Sequence, residues 1–229
     1  MNMNLTFYGA AREVTGSCYC LESNGKKILI DCGLRQGQDK EDDQGLPFNG
    51  KDIDSVILTH AHIDHSGRLP LLVKDGFRGN IYATGITCDL ISVMLEDGAE
   101  IQKIDAKREN KKRRRAGKKE IPPLYTKRDV DRTLKLLVPC DYDKRETISN
   151  GIRFGFVDAG HILGSASVEL FLGGGKKIVF SGDIGNLRQP IVKDPVYIEE
   201  ADYVVMESTY GDRNHEGGDD RALDLAKIV

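Results

Sequence analysis

The sequence predicts an α/β chain of layered sheets and helices. Short apolar runs bounded by turn formers fill the first third and return in the last third, and two stretches of helical periodicity lie between them. At 229 residues there is room for one large domain with a sizeable core.

In chain order, residues 5–8, 17–21 and 26–30 read as strands, the last two joined by Asn24-Gly25, a dipeptide suited to the left-handed turn of a hairpin. Residues 55–58 form an apolar strand, and 66–73 a short helix with Ser66 as its N-cap. Residues 81–83 are another buried strand. Leu90, Ile91, Met94, Leu95, Ala99, Ile101 and Ile104 then recur at helical spacing. A second helix over 126–138 carries Val130, Leu134 and Leu137 on one face and ends at Pro139. Strands return at 152–157, 167–172, 177–180 and 203–206.

Composition excludes several classes. Charged residues make up 30% and apolar residues 39%, an ordinary globular balance, and the net charge of -3 gives no global basicity. No run approaches the roughly 18 apolar residues of a membrane span, and the start of the chain has no basic-then-apolar signal pattern. Five cysteines, an odd number, argue for reduced thiols and a cytoplasmic location. Cys18 and Cys20 share one strand face and read as core thiols.

One segment departs from this balance. Residues 107–119 hold nine basic residues and one acidic residue, about +8, so the rest of the chain carries about -11. A solvated helix end running into a mobile loop accounts for it; a local phosphate-contacting patch, with Lys111, Lys112, Arg113, Arg114 and Arg115 as RNA contacts, is the functional alternative.

The chemistry collects at His60-Ala61-His62-Ile63-Asp64-His65, directly after the apolar strand at 55–58. Three imidazoles and a carboxylate within six residues suit a metal better than a packed core. Asp31, His161, Asp183 and Glu207 likewise follow four further apolar runs. If those strands run the same way, all these groups gather at one sheet edge, where open α/β sheets bind ligands. Counting donors, His60, His62 and His161 supply three nitrogens to one zinc, Asp64 and His65 bind a second, and Asp183 bridges both. Two zinc ions so placed can hold a hydroxide between them as the attacking group, so no side-chain nucleophile is required. The sequence contains neither a Gly-x-Ser-x-Gly elbow nor a P-loop.

The His-x-His-x-Asp-His cluster, with Asp31 before it and His161 and Asp183 after it, resembles the metallo-β-lactamase superfamily. Gly160-His161-Ile162-Leu163-Gly164-Ser165-Ala166 and Glu207-Ser208-Thr209-Tyr210-Gly211-Asp212-Arg213 resemble its β-CASP branch of RNA-processing nucleases. The resemblance implies a four-layer αβ/βα sandwich and hydrolysis of RNA phosphodiester bonds. It implies that Asp31 orients ligands, that His60, His62, Asp64, His65, His161 and Asp183 bind zinc, and that Glu207 supports a general-acid histidine. Asp31, Asp64 and Glu207 are thus the candidate catalytic carboxylates. A thioesterase or lactonase on the same scaffold, or a non-catalytic RNA-binding subunit, are the other readings.

Members of that branch continue into an inserted domain that returns two further histidines, the general acid and the last ligand of the second zinc. The expectation is therefore residues 1–208 as the metallo-β-lactamase portion and 209–229 as the start of a truncated β-CASP domain. The second zinc would then lack a ligand, the chain alone would be weakly active or inactive, and uncovered apolar surface would drive self-association. His215 reads as a surface or supporting residue rather than a replacement ligand.

Overall fold

The computed structural model describes residues 3–37, 45–214 and 226–228; His215 lies outside them. Strand β1 (Met3–Gly9) pairs antiparallel with β2 (Cys18–Ser23), which turns into β3 (Lys26–Ile30). Asn24 and Gly25 at that turn have φ of 51° and 72°, the left-handed pair that a two-residue hairpin needs to match strand twist. The sheet continues in parallel through β4 (Ser55–Ile57), β5 (Asn80–Thr84) and β6 (Leu137–Cys140), giving the order β1-β2-β3-β4-β5-β6. The crossovers carry helices α1 (Ile63–Ser66), α2 (Leu69–Lys74), α3 (Gly85–Arg115) and α4 (Lys127–Leu134).

A second sheet is built from β7 (Arg145–Ser149), β8 (Ile152–Asp158), β9 (Ala166–Leu172), β10 (Lys177–Phe180) and β11 (Tyr203–Val205). Its order is β11-β10-β9-β8-β7, antiparallel except for the parallel β10–β11 pair. Because β9 opposes both neighbours, β8, β10 and β11 all point the same way.

Strand alternation divides the core in two. Leu29, Val56, Leu58 and Ile81 face Leu69, Leu72, Ile91, Leu95 and Val130 of the helices. Ile28, Ile30 and Ile57 face the other way, against Phe154, Phe156, Val168, Leu170 and Phe180 of the second sheet. Tyr82 and Phe154 meet across the sheets with ring centroids 5.1 Å apart. The described residues therefore form helices, sheet and sheet in layers. The outer face of the second sheet carries Arg145 4.2 Å over the Phe171 ring and a 2.5 Å Lys177–Glu169 ion pair.

Three expectations need correction. Ser66 does not cap a helix start. It closes α1, its hydroxyl donating back to the carbonyls of Ala61 and His62, and a new helix begins at Leu69, with Pro70 in its first turn, where the missing amide proton costs nothing. The helix placed over 126–138 stops at Leu134, and 137–140 form the edge strand β6. Pro139 fits there because an edge strand has one side free of ladder bonds. The basic tract is more helical than expected: α3 runs unbroken to Arg115, and only residues 116–119 leave it, in a Schellman motif with the Lys118 amide donating to Arg113 O at 2.9 Å and Gly117 at φ 66°.

Candidate metal centre

The carboxyl ends of five strands deliver the site. Asp31 follows β3 and His60 to His65 follow β4, neighbours in the first sheet. His161, Asp183 and Glu207 follow β8, β10 and β11 of the second. The two sheets are stitched at this edge by the Ala166 amide donating to Thr59 O at 2.9 Å.

The histidine loop is held on the loop after β3. Ser17 and Cys32 amides donate to the carbonyls of Asp64 and His65, each at 2.8 Å, and the Leu34 amide donates to Ile63 O at 2.9 Å. Gly33 makes this approach possible, since a Cβ there would fall 1.6 Å from Asp64 O. The loop bearing His161 is fixed by Ser165, whose hydroxyl oxygen accepts from the amides of His161 and Ile162 at 3.0 and 3.2 Å.

Four donors converge. His62 Nδ1 lies 3.1 Å from His60 Nε2 and 3.2 Å from His161 Nε2. Asp183 Oδ2 lies 3.6 Å from His60 Nε2 and 3.5 Å from His161 Nε2. Donors about 2.0–2.2 Å from one tetrahedral ion stand about 3.3–3.6 Å apart, so the spacing fits a metal in a way that four packed side chains have no reason to. All four atoms lie within 4.8 Å of one another. Asp183 Oδ1 turns the other way, 3.2 Å from His65 Nε2, which is in turn 3.9 Å from Asp64 Oδ2.

Asp31 is buried behind these donors. Its backbone sits at φ 59°, and its carboxylate accepts from the Thr59 amide at 2.8 Å, the Thr59 hydroxyl at 2.9 Å and His65 Nδ1 at 2.7 Å. The Thr59 oxygen is also 3.0 Å from His60 Nδ1. Since the hydroxyl hydrogen goes to Asp31, His60 Nδ1 is the donor and its Nε2 keeps a lone pair for the site. Thr59 was not singled out from sequence; its only signal there is its place immediately before the cluster.

The ionisation states differ among the donors. Burial, followed by the charge of His65, holds His60 well below the ordinary histidine value; burial and the charge of His161 lower His62. Both rings are therefore neutral when metal arrives. Burial also pulls His65 down, but the Asp31 carboxylate and hydrogen bonds to Asp183 and Asp31 reverse this and raise it to about 10. For Asp183, burial opposes ionisation, yet the His65 hydrogen bond and the charges of His65, His60 and His161 hold it well below the carboxylate range.

Glu207 stands apart from the donors. Its Oε1 accepts from the Ile184 amide at 2.7 Å and its own amide donates to Ser181 Oγ at 3.1 Å. With Asp31, His65 and Asp183 it lines a cavity of about 310 Å³ that opens beside the centre. Lys111, Lys112, Arg113, Arg114 and Arg115 are not in this group; they lie at the far end of α3. That helix starts against the His161 loop, where Thr84 and Thr87 hydroxyls donate to Gly164 O, and passes Ile63 of the histidine loop at Gly98.

The chain is similar in sequence to several known proteins. A ribonuclease of Thermus thermophilus is 37% identical over 93% of this chain and 45% of its own length. Transcription termination factor FttA of Methanocaldococcus jannaschii is 35% identical over 91% of this chain and 32% of its own. Cleavage and polyadenylation specificity factor 73 of Drosophila melanogaster is 31% identical over 96% of this chain and 31% of its own. The chain thus spans under half the length of these relatives. Residues 11–222 match the Metallo-beta-lactamase superfamily as a family, and with a His and Asp metal-binding group at the strand ends where that match lies, the chain belongs to the Metallo-beta-lactamase superfamily.

Proposed function

We propose that this chain carries the metal centre of a zinc-dependent hydrolase that cleaves RNA phosphodiester bonds, of the β-CASP type. The observation that carries the reading is Asp183, whose two oxygens face two separate donor sets, His60 and His161 on one side and His65 on the other. That arrangement supports two ions sharing one carboxylate, the first held by His60, His62 and His161, the second by Asp64 and His65. Zinc bound there would act as a Lewis acid on a phosphodiester oxygen and bring the pKa of bound water toward neutrality. Imidazole and carboxylate donors together suit that metal.

The chain's own groups supply the rest. Asp31 and Thr59 hold His60 and His65 with Nε2 aimed at the centre. Asp64 is the candidate for a catalytic as well as a ligating role, being the carboxylate beside His65. Glu207, fixed by the Ile184 amide on the cavity wall, is placed to position a general-acid histidine. RNA as substrate rests on the relatives named as a ribonuclease and as a cleavage and polyadenylation factor.

Residues 1–208 would be the metal-binding domain and 209–229 the start of another. A cytoplasmic location is supported by five free cysteines. Self-association is supported by Tyr203, Val204 and Met206 on or beside β11, each at least half exposed. Metal analysis together with cleavage of 5′- and internally labelled RNA tests the function. Metal-dependent cleavage is expected; intact RNA alongside rapid thioester or lactone hydrolysis would overturn it.

A further inference from the structure

The distal half of α3 is a basic arm whose cations share one exposed face. Lys107, Arg108, Lys111, Lys112, Arg114 and Arg115 are all exposed, while Glu109, Asn110 and Arg113 are half-buried. The reason is the returning chain. Asn110 exchanges hydrogen bonds with Ile121 at 2.7 and 2.8 Å, and Arg113 Nε donates to Lys119 O at 2.6 Å. The return segment thus covers one side of the helix and leaves the other to the cations. Arg114 reaches Glu120 at 3.0 Å and Arg108 reaches Asp105 at 4.0 Å.

Helix stability does not explain this face. Cations favour a helix C-terminus only within about the last turn, which accounts for residues 112–115 but not for Lys107, Arg108 and Lys111. Like charges four apart repel, and Lys107–Lys111, Arg108–Lys112 and Lys111–Arg115 are three such pairs. The face also lies on the same helix that passes Ile63 of the histidine loop at Gly98. Met94, Ile101 and Asp105 line a groove of about 490 Å³ with Leu34 and Ile63, next to the metal loop. Arg108, Lys112 and Arg115 extend that same stripe at three- and four-residue steps, and Lys107 and Lys111 stand beside it on the exposed face. At 1.5 Å per residue the arm begins about 13 Å beyond Gly98 and ends about 25 Å beyond it.

We infer that this arm is a phosphate-binding track for an RNA strand leaving the metal centre along α3, with Lys107, Lys111, Lys112 and Arg115 as its principal contacts. The inference rests on the reading that RNA is the substrate. It specifies where the strand runs once its scissile phosphate is at the centre. The contacts are to backbone phosphates, so they are independent of base sequence.

The test is equilibrium binding of fluorescein-labelled oligo(U) of about 20 nucleotides, by anisotropy, across roughly 50–200 mM salt. The protein is compared with a variant carrying Lys107→Ala, Lys111→Ala, Lys112→Ala and Arg115→Ala. Alanine is the best helix former, so the arm persists, and circular dichroism checks this. Single-strand binding loses about 0.7 in salt slope per phosphate contact, so the variant's slope should be shallower by about 3 and its affinity at least about tenfold weaker at low salt. Replacing the three lysines with arginine should keep the slope. An unchanged slope in the alanine variant, with the unaltered protein still cleaving RNA, would overturn the track and leave the hydrolase reading standing. An unaltered protein that neither binds nor cuts RNA would overturn both. Loss of binding to phosphatidylserine vesicles with RNA binding intact would overturn the track in favour of a membrane contact.

Discussion

The carboxylate of Asp31 lies 2.7 Å from Nδ1 of His65, and this contact decides which nitrogen of that ring serves the metal centre. With Nδ1 committed, Nε2 faces Asp183 Oδ1 at 3.2 Å. Asparagine tolerates the left-handed backbone at position 31 but cannot accept from the Thr59 amide, the Thr59 hydroxyl and His65 as a carboxylate does. Asp31→Asn should keep the fold and weaken metal binding about 10–100-fold. Chelator competition measures it; an unchanged affinity would show that Asp31 does not act through His65.

The two donor groups should fill unequally. The first has four converging donors, whereas the described residues give the second Asp64, His65 and one oxygen of Asp183. Titration with zinc should show a tight step before a weaker one. Asp183→Asn, which removes a shared charge, should weaken both, and a loss confined to one step would argue against a bridging role.

Metal uptake at the second group should release a proton. His60 and His62 lie below the ordinary histidine value and are already neutral near pH 7. His65, raised to about 10, carries a proton that a metal on Nε2 must displace. Calorimetry at pH 7 in buffers of different ionisation enthalpy should find about one proton released from His65 in the second step. In the metal-free chain the same raised value stabilises the fold fully below the ordinary histidine value, about 6.5. That contribution is lost as pH rises through about 10. A proton-neutral second step would contradict the assignment.

Gly33 offers a way to disturb the centre without touching a donor. A Cβ there would overlap Asp64 O, 1.6 Å away, so Gly33→Ala must push the histidine loop off its support. The expected outcome is loss of metal with the two-sheet core intact, read by metal content and thermal unfolding of the metal-free chain. Full metal content in the variant would mean that the loop has room the structure does not show.

Phe154 tests the packing of the two sheets. It is fully buried, 5.1 Å from the Tyr82 ring and 5.4 Å from Phe156. Phe154→Ala should cost about 3–5 kcal/mol, measured by denaturant unfolding. A cost below about 1 kcal/mol would mean the sheets close over the gap.

The strand ends and what they carry are legible in the residues. Apolar runs ending in Asp31, His60, His161 and Asp183 are legible because strand period and turn chemistry act over a few residues, and metal donors must follow the strands that present them. The Asn24-Gly25 turn is equally local. Tertiary structure alone decided how the donors face. His62 presents Nδ1 and His60 and His161 present Nε2 to the common point because contacts between residues 99 apart, as His62 and His161 are, and 28 apart, as Asp31 and Thr59 are, fix each ring. It also decided that residues 137–140 join a sheet rather than extend a helix, since Ile81 and Tyr82 offer a ladder there. The basic tract became a directed arm for the same reason. Its composition was local, but its exposed face was set by where the chain returned past Asn110 and Arg113.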